Sequence, residues 1–211
     1  MDRFHALSRR RMYSPLRFSL TMCLLLLVTL SLACGQQSVV ENSSPAVKSY
    51  KPPSKLPGAL DAAVNDINLP MLTGSPVKFA DLVGQKKVVL VNFWATWCGP
   101  CRREIPDLVA LHKQFKDKGV EIVGLTVEDP QMERDRVQMF AQQFSMDYRI
   151  GFSSRDMFFQ FNRANGDDPR APIPQTFIFD KNGKIVDSLR GFRRDFREWA
   201  EGAITYALSA S

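Results

Sequence analysis

The chain has 211 residues, 45% of them hydrophobic and 24% charged, with a formal net charge of +6 and four cysteines. That length allows one ordinary domain with attachments and excludes a large multidomain assembly. Five of the 28 basic residues but only one of the 22 acidic ones lie in the first 33 positions, so the remainder carries 23 basic against 21 acidic residues, without the basic block that nucleic acid requires.

Arg3, Arg9, Arg10, Arg11 and Arg17 precede an uncharged run, FSLTMCLLLLVTLSLA, residues 18–33. At 16 residues the run falls short of the roughly 20 that span a bilayer as a helix, and it ends in the small residue Ala33 before Cys34. This is the pattern of an export signal over residues 1–33, with cleavage after Ala33 leaving Cys34 first. It resembles a bacterial lipoprotein signal, in which that cysteine is lipidated, although Ser31 stands where the pattern favours Leu. The resemblance implies lipidation at Cys34 and anchoring to a membrane; soluble export and an uncleaved anchor are the alternatives.

Residues 34–57, rich in Ser, Pro, Gln and Lys and without an apolar period, read as a flexible tether, and residues 58–211 as the folded domain. The stretch INLPMLTGSPVKF predicts two short extended pieces around a Thr-Gly-Ser turn, a hairpin at a sheet edge. KVVLVNFWA, residues 87–95, is a Val-rich apolar run of the kind covered on both faces. Cys98 and Cys101 follow it at once, at a strand-to-helix turn. Residues 101–118 predict a helix with Ile105, Leu108, Val109, Leu111 and Phe115 apolar, a stop at Gly119, and Pro106, which should kink it.

VEIVGLTV, residues 120–127, predicts a second buried strand, and helices are expected over 131–144 and 156–165. TFIFD and KIVDSLR flank Asn182-Gly183, a strong hairpin signal, and a last helix near 195–208 carries Phe196, Trp199, Ala200, Ala203, Ile204 and Leu208. The order predicts an α/β sandwich with a mixed sheet.

Only Cys98 and Cys101 remain for the folded body, since Cys23 lies in the signal and Cys34 at its end, which excludes a structural disulfide framework. At a helix N-terminus the free N–H groups and the macrodipole favour a thiolate, so Cys98 is the candidate nucleophile. Cys101, about one turn along, is placed to attack a mixed disulfide and release the substrate. Zinc normally takes four ligands, and the body offers only these two thiols and His112, too far along the same helix. A peroxidase needs Thr or Ser, and before it Pro, at set distances ahead of its cysteine, where this chain has Ala95 and Val91. Copper delivery would want three residues between the thiols and a distant His. Glu104, three residues beyond Cys101, is either a carboxyl whose pKa rises in a partly apolar setting or a solvated charge beside Arg102 and Arg103. Trp94 and Trp97 frame the site or pack the core, and Phe158, Phe159 and Phe161 read as core, with a groove for a partner as the alternative.

WCGPC after VNFWA, with PQTFIFDKNGKIV beginning at Pro174, resembles the thioredoxin superfamily, in particular its exported, membrane-tethered TlpA/ResA-like branch. The resemblance covers about residues 60–208. It implies a thioredoxin-like three-layer α/β sandwich with a central mixed sheet, the N-terminal hairpin and an extra helical segment before a cis-proline loop. It implies a redox-active disulfide between Cys98 and Cys101, a cis peptide at Pro174, and Trp97, Gly99, Pro100, Ile173 and Pro174 as the residues that meet substrate. Glu104 matches the glutamate that ResA-like proteins place by their active site. Cytosolic thioredoxins carry a buried Asp where this chain has Asn92, which holds no titratable proton. A reductase of this branch would draw electrons from a membrane thiol donor and pass them to exported disulfide-containing proteins such as apocytochrome c; a disulfide oxidase or isomerase and a non-catalytic redox-sensing lipoprotein are the rivals. A monomer with no cofactor, metal or nucleic-acid partner is expected.

Overall fold

The computed structural model describes residues 50–210. The expected signal, the lipidation site Cys34 and most of the expected tether lie outside the described residues.

Among the described residues, seven strands and four α-helices follow one another in chain order. The N-terminal hairpin pairs β1 (Asn68–Leu69) antiparallel with β2 (Val77–Lys78), and a five-stranded sheet holds β3 (Val88–Trp94), β4 (Val120–Thr126), β5 (Arg149–Phe152), β6 (Gln175–Phe179) and β7 (Ile185–Arg190) in the order β5-β4-β3-β6-β7. β3, β4 and β5 run parallel, while β6 and β7 are antiparallel to their neighbours. The helices are α1 (Gly99–Phe115), α2 (Arg134–Gln143), α3 (Arg155–Ala164) and α4 (Phe196–Ser209).

β3 shows why its sequence is apolar at every position but Asn92. Val88, Leu90 and Trp94 join one core with Ile105, Leu108, Phe140 and Ala203, whereas Val89, Val91 and Phe93 join the other with Phe79, Met157 and Phe161. Side chains that alternate across a strand thus feed two cores, with α1, α2 and α4 over one face and α3 with the N-terminal segment over the other. This is the three-layer sandwich the sequence implied.

Two boundaries differ from expectation for identifiable reasons. α1 begins at Gly99 because Cys98 is its N-cap and Pro100, in the first turn, gives up an N–H that has no intrahelical acceptor there; the helix continues through Pro106 to Phe115. Chain reversal then occurs at Gly119, with φ of 79°. β5 was not foreseen. It has four residues and a central Gly151 against which Met71 packs, its sulfur 3.0 Å from where a Cβ would stand. Leu72 N–H donates to the Ile150 carbonyl and Phe152 N–H to that of Pro70, so residues 70–72 cover this outer edge of the sheet.

Within the segment expected as a tether, Tyr50 is anchored. Its hydroxyl donates to Asp187 Oδ2 at 2.5 Å, Trp199 Nε1 donates to the same oxygen at 2.9 Å, and its ring lies 5.8 Å from that of Tyr206.

Candidate active site

The parallel pair β3/β4 and the antiparallel pair β3/β6 bring three chain segments to one end of the sheet: the turn after β3, the loop after β4 and the loop before β6. Cys98 and Cys101 sit on the first and are joined by a disulfide. Cys98 Sγ accepts from the Cys101 N–H at 3.1 Å, so one sulfur occupies the place where a helix N-terminus offers its free donors. On the other side it lies 3.7 Å from the carbonyl oxygen of Ile173, and the Ile173–Pro174 peptide is cis. Cys98 and Cys101 are buried, while Trp97, Gly99 and Pro100 around them are exposed, Trp97 at 64%.

One turn beyond Cys101, Glu104 turns inward and is only 1% exposed, whereas Arg102 and Arg103 face solvent. The solvated-charge reading of Glu104 is therefore set aside. Its Oε1 accepts from Asn92 Nδ2 at 2.8 Å and from Thr176 Oγ1 at 3.1 Å, and Asn92 Nδ2 also donates to Thr176 Oγ1 at 3.0 Å. Its Oε2 is buried and meets no partner among the described residues. Burial raises the Glu104 pKa to about 8; the hydrogen bonds from Thr176 and Asn92 offset part of that rise, and the Asp107 carboxylate adds to it. A carboxyl in that range is matched to an ordinary thiol near 8.5.

The turn carrying the cysteines is held by residues that sequence reading did not single out. Glu128, buried after β4, accepts the Thr96 N–H at 3.0 Å, the Thr96 hydroxyl at 2.5 Å, the Thr126 hydroxyl at 2.7 Å and Arg136 at 3.0 Å. Arg102 closes the other side, donating twice to the Thr96 carbonyl at 2.8 and 3.0 Å while its guanidinium lies over the Phe140 ring. Both sides of the Thr96 peptide are thus fixed two residues before Cys98. The strand-end Thr-x-Glu of residues 126–128 was the only local signal.

Other expected residues fall elsewhere. Trp94 is fully buried and stacks on Phe140, so it is core. Phe158 and Phe161 are core as expected, but Phe159 is 39% exposed, a correction that follows from its place on the outer side of α3. His112 meets the Tyr148 ring edge-on, about 16 Å along α1 from Cys101 at 1.5 Å per residue. Among the described residues no cluster of three or more His, Cys, Asp or Glu is arranged to hold a metal. Val91 and Ala95, where a peroxidase would carry Pro and then Thr or Ser, are fully buried.

A cystine at a helix N-terminus, opposite a cis-proline loop, on a β-α-β sheet with a terminal antiparallel hairpin, is the fold and site of a thioredoxin-like thiol-disulfide oxidoreductase. Residues 60–188 match the AhpC/TSA family, and the chain belongs to it. It is 35% identical over 133 residues to the thiol-disulfide oxidoreductase ResA of Geobacillus thermodenitrificans, covering 63% of this chain and 70% of that one. With ResA of Bacillus cereus it shares 32% identity over 120 residues, 57% of this chain and 63% of the relative's length. Among solved structures, a putative thiol:disulfide interchange protein DsbE from Chlorobium tepidum superposes with a TM-score of 0.58 at 29% identity, covering 74% of this chain and all of that one.

Proposed function

We propose that this protein is an exported thiol-disulfide reductase, held at a membrane by a lipid on Cys34, that reduces disulfides in other exported proteins. The observation that carries the chemistry is the Cys98–Cys101 disulfide at the N-terminus of α1, with Cys98 Sγ facing the Ile173 carbonyl. In the reduced protein the Cys98 thiolate attacks one sulfur of a substrate disulfide. A mixed disulfide forms and the other substrate sulfur leaves as a thiolate. Cys101, deprotonated, then attacks Cys98 Sγ; the Cys98–Cys101 bond forms, the mixed disulfide breaks, and two electrons have passed to the substrate. Glu104 exchanges the proton of Cys101, the task for which Asn92 has no titratable group.

Export and the anchor are supported by the basic, apolar and small-residue order of positions 3–34. The Gly-Pro pair between the cysteines supports the reducing direction. Apocytochrome c, whose haem-binding cysteines must be reduced, is the substrate class this reading favours, with a membrane thiol donor regenerating the dithiol. Insulin reduction with dithiothreitol as donor tests the activity: turnover well above a Cys98→Ser, Cys101→Ser control is expected, and a rate equal to that control contradicts the proposal. Cys34→Ser should move the protein from the membrane to the soluble fraction.

A further inference from the structure

Behind the cis-proline loop lies a set of side-chain amides that the exchange chemistry does not use. Gln175, the first residue of β6, is fully buried. Its Nε2 donates to Asn162 Oδ1 at 3.0 Å and to the Pro172 carbonyl at 3.0 Å, and its Oε1 accepts from Asn165 Nδ2 at 3.2 Å. Asn162, 1% exposed on α3, donates in turn to the Asp168 carbonyl at 2.8 Å, and Asn165 Oδ1 accepts from Ser188 Oγ of β7 at 2.7 Å. One connected network therefore ties the end of α3, the 165–172 loop, β6 and β7 to the backbone that leads into Ile173.

The loop needs such a tie. Asp167 and Ala171 hold φ of 51° and 41°, values that a residue with a side chain rarely adopts unless its surroundings impose them. The carbonyls flanking Ile173 are both anchored: Pro172 by the Gln175 amide, and Pro174 by the Gly191 N–H at 2.8 Å. Between these two points lies the one carbonyl that faces Cys98 Sγ. A buried polar network with its donors and acceptors engaged rigidifies what it holds.

We infer that Gln175, supported by Asn162 and Asn165, is a positioning residue that fixes the Ile173 backbone as an edge for an extended polypeptide, and so sets a preference for disulfides in protein chains over small-molecule disulfides. The inference rests on the reading above that Ile173 meets substrate. It also gives α3 a role beyond covering the sheet, because a protein disulfide brings a strand whose main chain needs a partner, whereas a small aromatic disulfide brings none.

The test uses the full chain, reduced and freed of reductant, and compares second-order rates with insulin and with 5,5′-dithiobis(2-nitrobenzoate). In Gln175→Leu and Asn162→Ala the second-order rate with insulin is expected to fall on the order of ten-fold further than the rate with the aromatic disulfide, because displacing a bound chain costs productive alignment. Ser188→Ala, half-buried at the rim of the network, should show the same selectivity more weakly and covers the case in which a core variant does not fold. Equal losses with both disulfides, or none, in the variants that fold overturn the inference while leaving the function intact. A wild-type protein that reacts with neither disulfide would instead remove the function on which it rests.

Discussion

Asn92 Nδ2 donates to Glu104 Oε1 at 2.8 Å, joining the middle of β3 to the turn of α1 that follows the cysteines. A neutral amide thus occupies the strand position from which cytosolic thioredoxins present a buried carboxyl, and it is hydrogen-bonded to a carboxyl supplied by the helix. The buried carboxyl is carried here by α1, one turn beyond Cys101, rather than by β3.

This placement gives folding stability a defined pH dependence. The folded-state pKa of Glu104 is raised from 4.5 to about 8, chiefly by burial, so the folded protein holds this proton more tightly than the unfolded chain does. Its contribution is fully present below pH 4.5, is lost as pH rises through about 8, and changes no further above that. The full loss is on the order of 5 kcal/mol. Urea denaturation of the disulfide-intact protein at pH 5 and pH 9 should show it, and Glu104→Gln should flatten the difference. Parallel profiles for mutant and parent would remove Glu104 as the source.

The two cysteines should fail differently. Cys98→Ala is expected to abolish exchange, because no other sulfur occupies the N-cap of α1. Cys101→Ala should accumulate a mixed disulfide on Cys98, visible as a shifted band on a non-reducing gel. Adducts accumulating equally on Cys101 in the Cys98→Ala protein would reverse the assignment.

Thr96 and Glu128 supply a prediction about the turn itself. Thr96→Val keeps the shape but removes the hydroxyl that donates to the buried carboxylate at 2.5 Å. Hydrogen bonds to charged groups contribute about 1.5–3 kcal/mol, so a loss in that range is expected from chemical denaturation. Thr96→Ser should recover most of it. A Thr96→Val protein as stable as the parent would show that the Thr96 N–H bond to Glu128 and the Arg102 and Arg136 contacts hold the turn without the hydroxyl.

At the far side of the domain, Gly202 in α4 leaves room for Tyr50: a Cβ there would stand 2.7 Å from Tyr50 Cβ. Alanine normally stabilises a helix interior by about 0.5–1 kcal/mol over glycine. Gly202→Ala alone should therefore destabilise or displace Tyr50 from Asp187, while in a Tyr50→Gly background, which removes the clashing Cβ, the same change should stabilise by about 1 kcal/mol. The two-by-two set of melting temperatures checks this; additive effects would contradict it.

What was legible in the sequence follows from the range over which each signal acts. β3 and α1 were plain because their apolar periods are local, and the two thiols because their spacing is. β5 was missed since Arg149–Phe152 is too short to show a period and is completed by Pro70 and Leu72 from far earlier in the chain. Glu104 was ambiguous because its neighbours Arg102 and Arg103 argue for solvent, and only the helix phase shows that they point the other way. Glu128 and Gln175 could not be singled out at all: their partners Thr96, Arg136, Asn162 and Asn165 are brought to them by the fold, and no local pattern encodes that meeting.

The direction of electron flow is the centre of the account, and the reduction potential of the Cys98–Cys101 pair tests it most directly. Equilibration of the full chain in defined thiol buffers should give a value near or below about −250 mV, where the dithiol reduces its partners. A value near about −120 mV would contradict the account and make the protein an oxidant of exported chains.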